Sequence, residues 1–239
     1  MTGIAVLGST GSVGVNTLDV VARHPERFEV VALAAHRNAA RLAEQVRRWQ
    51  PEYAALADAA AMRELEAHLE GARVRTRLLC GPDALEEIAG LPQVRHVMAA
   101  IVGSAGLKST LAAARAGKRL LLANKESLVM AGPLLLEAVR ASGSELLPID
   151  SEHNAIFQCL PQGARPGELP RGVRRLILTA SGGPFLDWTP EAMAAATPEE
   201  ACAHPNWRMG RKISVDSATL MNKGLELIEA CFLFGLPPE

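Results

Sequence analysis

Over its first 150 residues the chain alternates short apolar runs with stretches of helical period, and this alternation limits the fold more than any single motif. Strands are predicted at 3–8, 28–34, 74–80, 96–102, 119–123 and 145–149, with amphipathic helices between them, among them 38–49 and 126–141. In the first of these helices Ala39, Leu42, Val46 and Trp49 share one face. Strand, helix and strand in this rhythm build a parallel sheet covered by helices on both faces. No repeat of solenoid period and no low-complexity block breaks the pattern. The expected class is therefore α/β, a doubly wound parallel sheet over residues 1–150.

Near Pro148 the rhythm changes. Residues 161–172 are rich in Pro and Gly and read as a surface connection. A strand is predicted from Arg174 to Thr179, then a Gly-Gly-Pro break, a Pro-punctuated helical stretch, and one helix from about Ser217 to Phe234. Residues 151–239 thus form an α+β domain, and so little sheet is left to cover its last helix that a truncated domain is expected. A net charge of −1 provides no general attraction to nucleic acid or to an anionic membrane, so neither is an expected partner. No apolar stretch reaches the ~18 to 20 residues of a membrane span, and no leader signal precedes Ile4. The four cysteines, Cys80, Cys159, Cys202 and Cys231, form no CxxC pair and read as free thiols of a cytoplasmic protein.

Gly8-Ser9-Thr10-Gly11-Ser12-Val13-Gly14 follows the first strand and opens a helix. Glycines there let the backbone turn tightly and approach a pyrophosphate at the positive end of that helix, which makes the domain Rossmann-like. A plain strand-to-helix turn is the alternative. At the end of the second strand, Ala35-His36-Arg37-Asn38 offers no carboxylate for a ribose 2′-hydroxyl, whereas Arg37 suits a 2′-phosphate. NADP is favoured over NAD on this ground, the alternative being that Arg37 is a solvated residue at the helix start.

Asp150 and Glu152 follow the apolar run Leu146-Leu147-Pro148-Ile149, and spacing of two at a strand end places both side chains on one side. Glu226 lies three residues after Lys223 on the last predicted helix, so those two face the same way. Three oxygen ligands suit Mg²⁺ or Mn²⁺, and the lack of a His/Cys cluster argues against zinc. Equally open is a reading in which the acidic pair is solvated and Ser151 through Asn154 cap a helix. Asn124-Lys125-Glu126-Ser127 follows a strand, the position at which doubly wound sheets bind ligands. Ser181-Gly182-Gly183 follows another, and Ser217, Asn222 and Lys223 carry groups suited to phosphate or polyol oxygens. The run from His204 to Gly210 mixes donors with Trp207 and Met209 and reads as a lid, although His204 alone reads as structural.

Taken together, GSTGSVG (8–14), LANKES (122–127), IDSEHNAIFQ (149–158), TASGGPF (179–185) and HPNWRMGRKISVDSATLMNKGLE (204–226) make the sequence resemble the 1-deoxy-D-xylulose 5-phosphate reductoisomerase family. The resemblance implies NADPH-dependent conversion of that sugar phosphate to 2-C-methyl-D-erythritol 4-phosphate in non-mevalonate isoprenoid biosynthesis. It implies metal ligation by Asp150, Glu152 and Glu226, with Lys223 beside them as a catalytic group. Substrate contacts are implied for Lys125, Ser151, Glu152, Ser181, His204, Ser217, Asn222, Lys223 and Glu226. Cofactor contacts are implied for Gly8, Thr10, Gly11, Ser12, Val13, Gly14, Arg37, Asn38, Asn124, Glu126 and Gly210. A homodimer is implied for the full-length form. Two departures stand out: the family commonly has glycine at the position of His36, and its members continue well beyond residue 239. Another NADP-dependent dehydrogenase accounts for the glycine loop but not for the three carboxylates, and a nucleotide-binding module without catalysis is the second rival.

Overall fold

The computed structural model of the chain describes residues 1–205 and 210–237, which divide into two compact units, Met1–Asp150 and Ser151–Glu239. In the first unit, strands β1 (Thr2–Leu7), β2 (Phe28–Ala35), β3 (Tyr53–Leu56), β4 (Arg77–Cys80), β5 (His96–Ala99), β6 (Arg119–Leu122) and β7 (Glu145–Pro148) pair in parallel in the order β4-β3-β2-β1-β5-β6-β7. Helices α1 (Ser12–Arg23), α2 (Ala39–Trp49), α3 (Ala59–Leu69), α4 (Pro82–Gly90), α5 (Leu107–Arg115) and α6 (Lys125–Ser142) connect them. The expected α/β class is the observed one. Parallel strands need long crossovers, and the continuous apolar runs Ile4–Leu7 and Val30–Ala35 are buried on both faces, as helix-covered parallel strands must be.

β3 was not among the predicted strands, because Tyr-Ala-Ala-Leu has neither β-branched residues nor alternation; its burial between β2 and β4 makes it a strand. The strand predicted from 74 begins only at Arg77. In α6 a break at Ala131 (φ −143°) precedes Pro133, whose ring and missing N–H interrupt a regular helix.

Strand order reverses between β1 and β5, so the chain segments leaving both strands lie side by side. A Cβ on Gly8 (φ 85°) would lie 2.5 Å from the Ala100 carbonyl oxygen, and one on Gly14 would lie 2.4 Å from the Gly8 oxygen and 2.6 Å from the Ser9 Cα. Helix α1 can start this close to the sheet only with glycine at both places.

The second unit contains α7 (Ser151–Cys159), α8 (Pro190–Ala194), α9 (Pro198–Cys202), α10 (Arg211–Ala218) and α11 (Met221–Phe234). Residues 174–179, predicted as a strand, form none: no described residue pairs with them, and a strand exists only as one half of a ladder. The single helix predicted from Ser217 is divided at Leu220, whose φ of 60° ends α10 and redirects α11. No described helix is long and apolar enough to cross a membrane.

Two substitutions should shift stability in opposite directions. Gly14→Ala forces backbone apart and is expected to cost about 1–3 kcal/mol. Leu220→Gly relieves a left-handed leucine whose side chain is half exposed, and should gain about 1 kcal/mol. Urea unfolding midpoints of the two variants check both signs.

Candidate active site

The first unit contributes a nucleotide-type loop. Gly11, extended at φ −79° and ψ 172°, precedes α1, and among the described residues no side-chain cap bonds the first N–H groups of that helix. Such N–H groups, with the helix dipole behind them, form an anion site. Ser9 anchors the loop: its Oγ donates to Gln45 Oε1 at 2.7 Å, and Gln45 Nε2 donates back to the Ser9 carbonyl at 2.8 Å, both groups buried. Sequence reasoning missed Gln45, whose only signal was an amide next to Val46 on the inward face of α2.

Arg37 stands at the end of β2, where the sequence places it, but its Nε donates to Asp58 Oδ2 at 3.0 Å. Asp58, two residues beyond the end of β3, caps α3 by accepting from Ala60 and Ala61 N–H. The Ala61 N–H holds its carboxyl below the usual range; burial opposes this, and Arg37 adds to the lowering. The observation that no carboxylate stands here holds for β2 alone, because Asp58 comes from the turn after β3, the strand that sequence reading missed. Asn38 caps α2 by accepting from the Arg41 N–H.

Asn124 is almost wholly buried and its amide is committed within the unit: Oδ1 accepts from Ser127 N and Oγ at 2.8 Å, and Nδ2 donates to the Ile101 and Gly103 carbonyls. It therefore fixes the loop after β5 next to the glycine loop. Glu126 lies in the first turn of α6. Lys125, buried, pairs with Asp150 at 2.5 Å, joining the start of α6 to the residue that closes this unit.

In the second unit the carboxylates come together by another route than strand periodicity. β7 ends at Pro148 and α7 begins at Ser151, so Glu152 belongs to the first turn of a helix and not to a strand end. Lys223 on α11 donates through Nζ to Glu152 Oε1 at 2.9 Å, to the Thr179 carbonyl at 2.5 Å and to Glu226 Oε2. Glu226 is 1% exposed and also accepts from Asn222 Nδ2 at 2.5 Å. Burial raises the Glu152 carboxyl, but the Ser151 hydroxyl at 2.6 Å and the Lys223 ammonium outweigh it and leave a net lowering. Glu152 and Thr179 also line an open cavity of about 930 Å³ that runs past Ile156 and Arg174.

Next to this cluster the turn at Ser181 is built for close approach. Gly182 and Gly183 have φ of 83° and 71°, and a Cβ on Gly183 would lie 2.6 Å from the Ser217 carbonyl oxygen. Ser181 Oγ is 3.1 Å from His204 Nε2 and accepts from the Gly183 N–H. Ser181, His204 and the Ser217 backbone are thus gathered, whereas Asn222 turns its amide to Glu226. Gly210 precedes α10, and its carbonyl accepts from the N–H and Oγ of Ser214. Trp207 and Met209 of the expected lid lie outside the described residues.

Fold and site define an α/β chain with a glycine loop at the sheet's switch point and a lysine-bridged carboxylate pair on two helices. Models of the 1-deoxy-D-xylulose 5-phosphate reductoisomerase family match residues 4–132 and, as its C-terminal domain, 146–234. The chain belongs to that family. It is 61% identical to the 1-deoxy-D-xylulose 5-phosphate reductoisomerase of Methylococcus capsulatus, over 100% of this chain and 61% of that protein. It is 60% identical to that of Aromatoleum aromaticum, over 99% of this chain and 59% of the relative. A crystal structure of DOX-P reductoisomerase in complex with NADPH, fosmidomycin and magnesium superposes with a TM-score of 0.90 at 45% identity, over 100% of this chain and 59% of the other. The Zymomonas mobilis enzyme in complex with NADPH gives 0.85 at 47%, over 99% and 59%. The chain therefore spans about three fifths of the length of the relatives it matches.

Asp58→Ala removes both a helix cap and the partner of Arg37. It is expected to cost about 1 kcal/mol, read from thermal unfolding followed by circular dichroism.

Proposed function

We propose that this chain carries the cofactor-binding and metal-binding machinery of a reductoisomerase that converts 1-deoxy-D-xylulose 5-phosphate to 2-C-methyl-D-erythritol 4-phosphate in non-mevalonate isoprenoid biosynthesis. The observation that carries the reading is the gathering of Glu152 and the buried Glu226 around the Lys223 ammonium, next to the Ser181 turn. A cluster of hard oxygen donors suits Mg²⁺ or Mn²⁺. Asp150, two residues before Glu152 in sequence, completes the proposed ligand set. Residues 1–150 form the NADPH domain and 151–239 the catalytic domain in this reading, which places the enzyme in the cytoplasm and makes its full-length form a homodimer.

The chain's own residues account for the physical demands of the reaction. The α1 N-terminus and the loop from Gly8 to Gly14 would receive the pyrophosphate. Arg37 would receive the 2′-phosphate, its remaining guanidinium N–H groups being exposed beyond the bond to Asp58. Ser181, Ser217, Asn222 and His204 would bind the substrate phosphate and so provide binding energy remote from the reacting carbons. Lys125, Ser151 and Lys223 would orient the substrate hydroxyls. Lys223 places positive charge where the substrate oxygens gain electron density during the carbon-skeleton rearrangement. When bound, the divalent ion supplies Lewis-acid stabilisation of those oxygens, and NADPH supplies the hydride that reduces the resulting aldehyde.

Glu226→Gln is expected to weaken Mn²⁺ binding at least 10-fold in this chain and to abolish turnover in a version extended to the relatives' length, with NADPH affinity unchanged. Near-normal turnover at low Mg²⁺ would sink the ligand assignment. Lys223→Met leaves Glu226 buried beside Glu152 without its ammonium, at a cost of about 3 kcal/mol in stability. Millimolar Mn²⁺ should restore part of that loss in thermal melts, because the ion binds the folded state. A variant melting identically with and without Mn²⁺ speaks against a cation site there.

A further inference from the structure

Helix α11 turns Lys223, Glu226, Glu229 and Leu233 along one stripe, at spacings of three, three and four, with Phe234 beside its end. The first two belong to the carboxylate cluster. Glu229 does not, and it is fully buried. Opposite it stands His153 of α7, also fully buried, one residue after Glu152. Its Nε2 is 2.8 Å from the main-chain carbonyl oxygen of Glu226, and its Nδ1 is 3.5 Å from Glu229 Oε2. The Phe234 ring stacks over the imidazole at 6.4 Å between centroids and 16° between planes.

A carbonyl oxygen only accepts, so Nε2 carries a proton and donates it. The Glu229 carboxyl faces the other ring nitrogen, Nδ1, at ion-pair distance. The imidazole is thus held at Nε2 by the Glu226 carbonyl and set against the Glu229 carboxyl at Nδ1. Burying such a pair is a poor route to stability, since apolar residues of the same size would serve as well or better. What it provides is direction. The histidine, one residue after Glu152 on α7, ties that helix to the backbone of Glu226 itself.

We propose that His153 and Glu229 are positioning residues: they set the spacing of the Glu152 and Glu226 carboxylates by locking α7 against α11, and so tune the affinity of the cation site. The inference rests on the metal-binding reading above. Groups that orient ligand-bearing residues typically change metal affinity 10–100-fold when removed, and a backbone tether belongs at the lower end.

The test is Mn²⁺ affinity of the 239-residue chain, read from the free-ion signal in electron paramagnetic resonance. His153→Ala should weaken binding about 10-fold. His153→Gln, whose amide reaches the same carbonyl, should stay within about 3-fold of the parent. Glu229→Leu, which keeps the volume but removes the partner of Nδ1, should fall between them. Unfolding midpoints are recorded alongside, and the glutamine variant carries the test if the alanine variant does not fold. Parental Mn²⁺ affinity in His153→Ala and Glu229→Leu, whatever their stability, overturns the proposal. So does a glutamine variant as weak as the alanine variant, because the bond to Glu226 would then not be the tether. A parent chain that binds no Mn²⁺ overturns the metal reading itself and this inference with it, an outcome distinct from the other two.

Discussion

A carboxylate as deeply buried as Glu226 must be neutralised where it sits, because leaving it charged and alone in a low-dielectric interior costs several kcal/mol. Lys223 meets that demand from one turn earlier on the same helix, and with its other protons it reaches Glu152 on α7 and the carbonyl of Thr179. One ammonium thereby joins two helices and an extended segment. The second unit has no described sheet, so this polar junction takes over part of the work that a ladder does elsewhere. Under the proposed function, the carboxylate oxygens of this junction are the donors a divalent ion would use.

In the first unit the equivalent constraint is steric. The loop after β1 can lie against both the β5 exit and the start of α1 only because Gly8 and Gly14 carry no side chains. Ser9 and Gln45 then exchange two hydrogen bonds that hold the loop to α2. Asn124 holds the neighbouring loop with two more, to the Ile101 and Gly103 carbonyls, while Ser127 at the start of α6 donates two to its Oδ1. The surface on offer is backbone N–H, preorganised and uncapped, which is what recognition of a pyrophosphate requires.

Much of this was legible in the residues, and the exceptions share a cause. The βα rhythm and the glycine loop are local patterns, and the structure follows them. β3 was illegible because alanine says little about strands until neighbours bury it. Residues 174–179 carry the short apolar run Leu176-Ile177-Leu178 that a strand would, yet pairing is a property of two segments, and no described residue supplies the second strand. The left-handed Leu220 had no warning in its side chain. At the site, the residue types were readable but the route to their meeting was not. Glu152 reaches Glu226 through a helix start and a lysine, not through strand spacing. Arg37 found a partner in Asp58, the α3 cap that follows the one strand that had escaped notice. His153 and Glu229 looked like ordinary helix positions until α7 and α11 were packed together.

The account depends on the carboxylates of Asp150, Glu152 and Glu226 holding one divalent ion. Anomalous scattering from crystals of the chain grown with Mn²⁺ and NADPH tests this most directly. The account predicts one strong manganese peak bounded by oxygens of those three side chains, with the Lys223 ammonium moved off at least one carboxylate. Lys223 still bridging Glu152 and Glu226, with manganese absent or bound elsewhere, would contradict it.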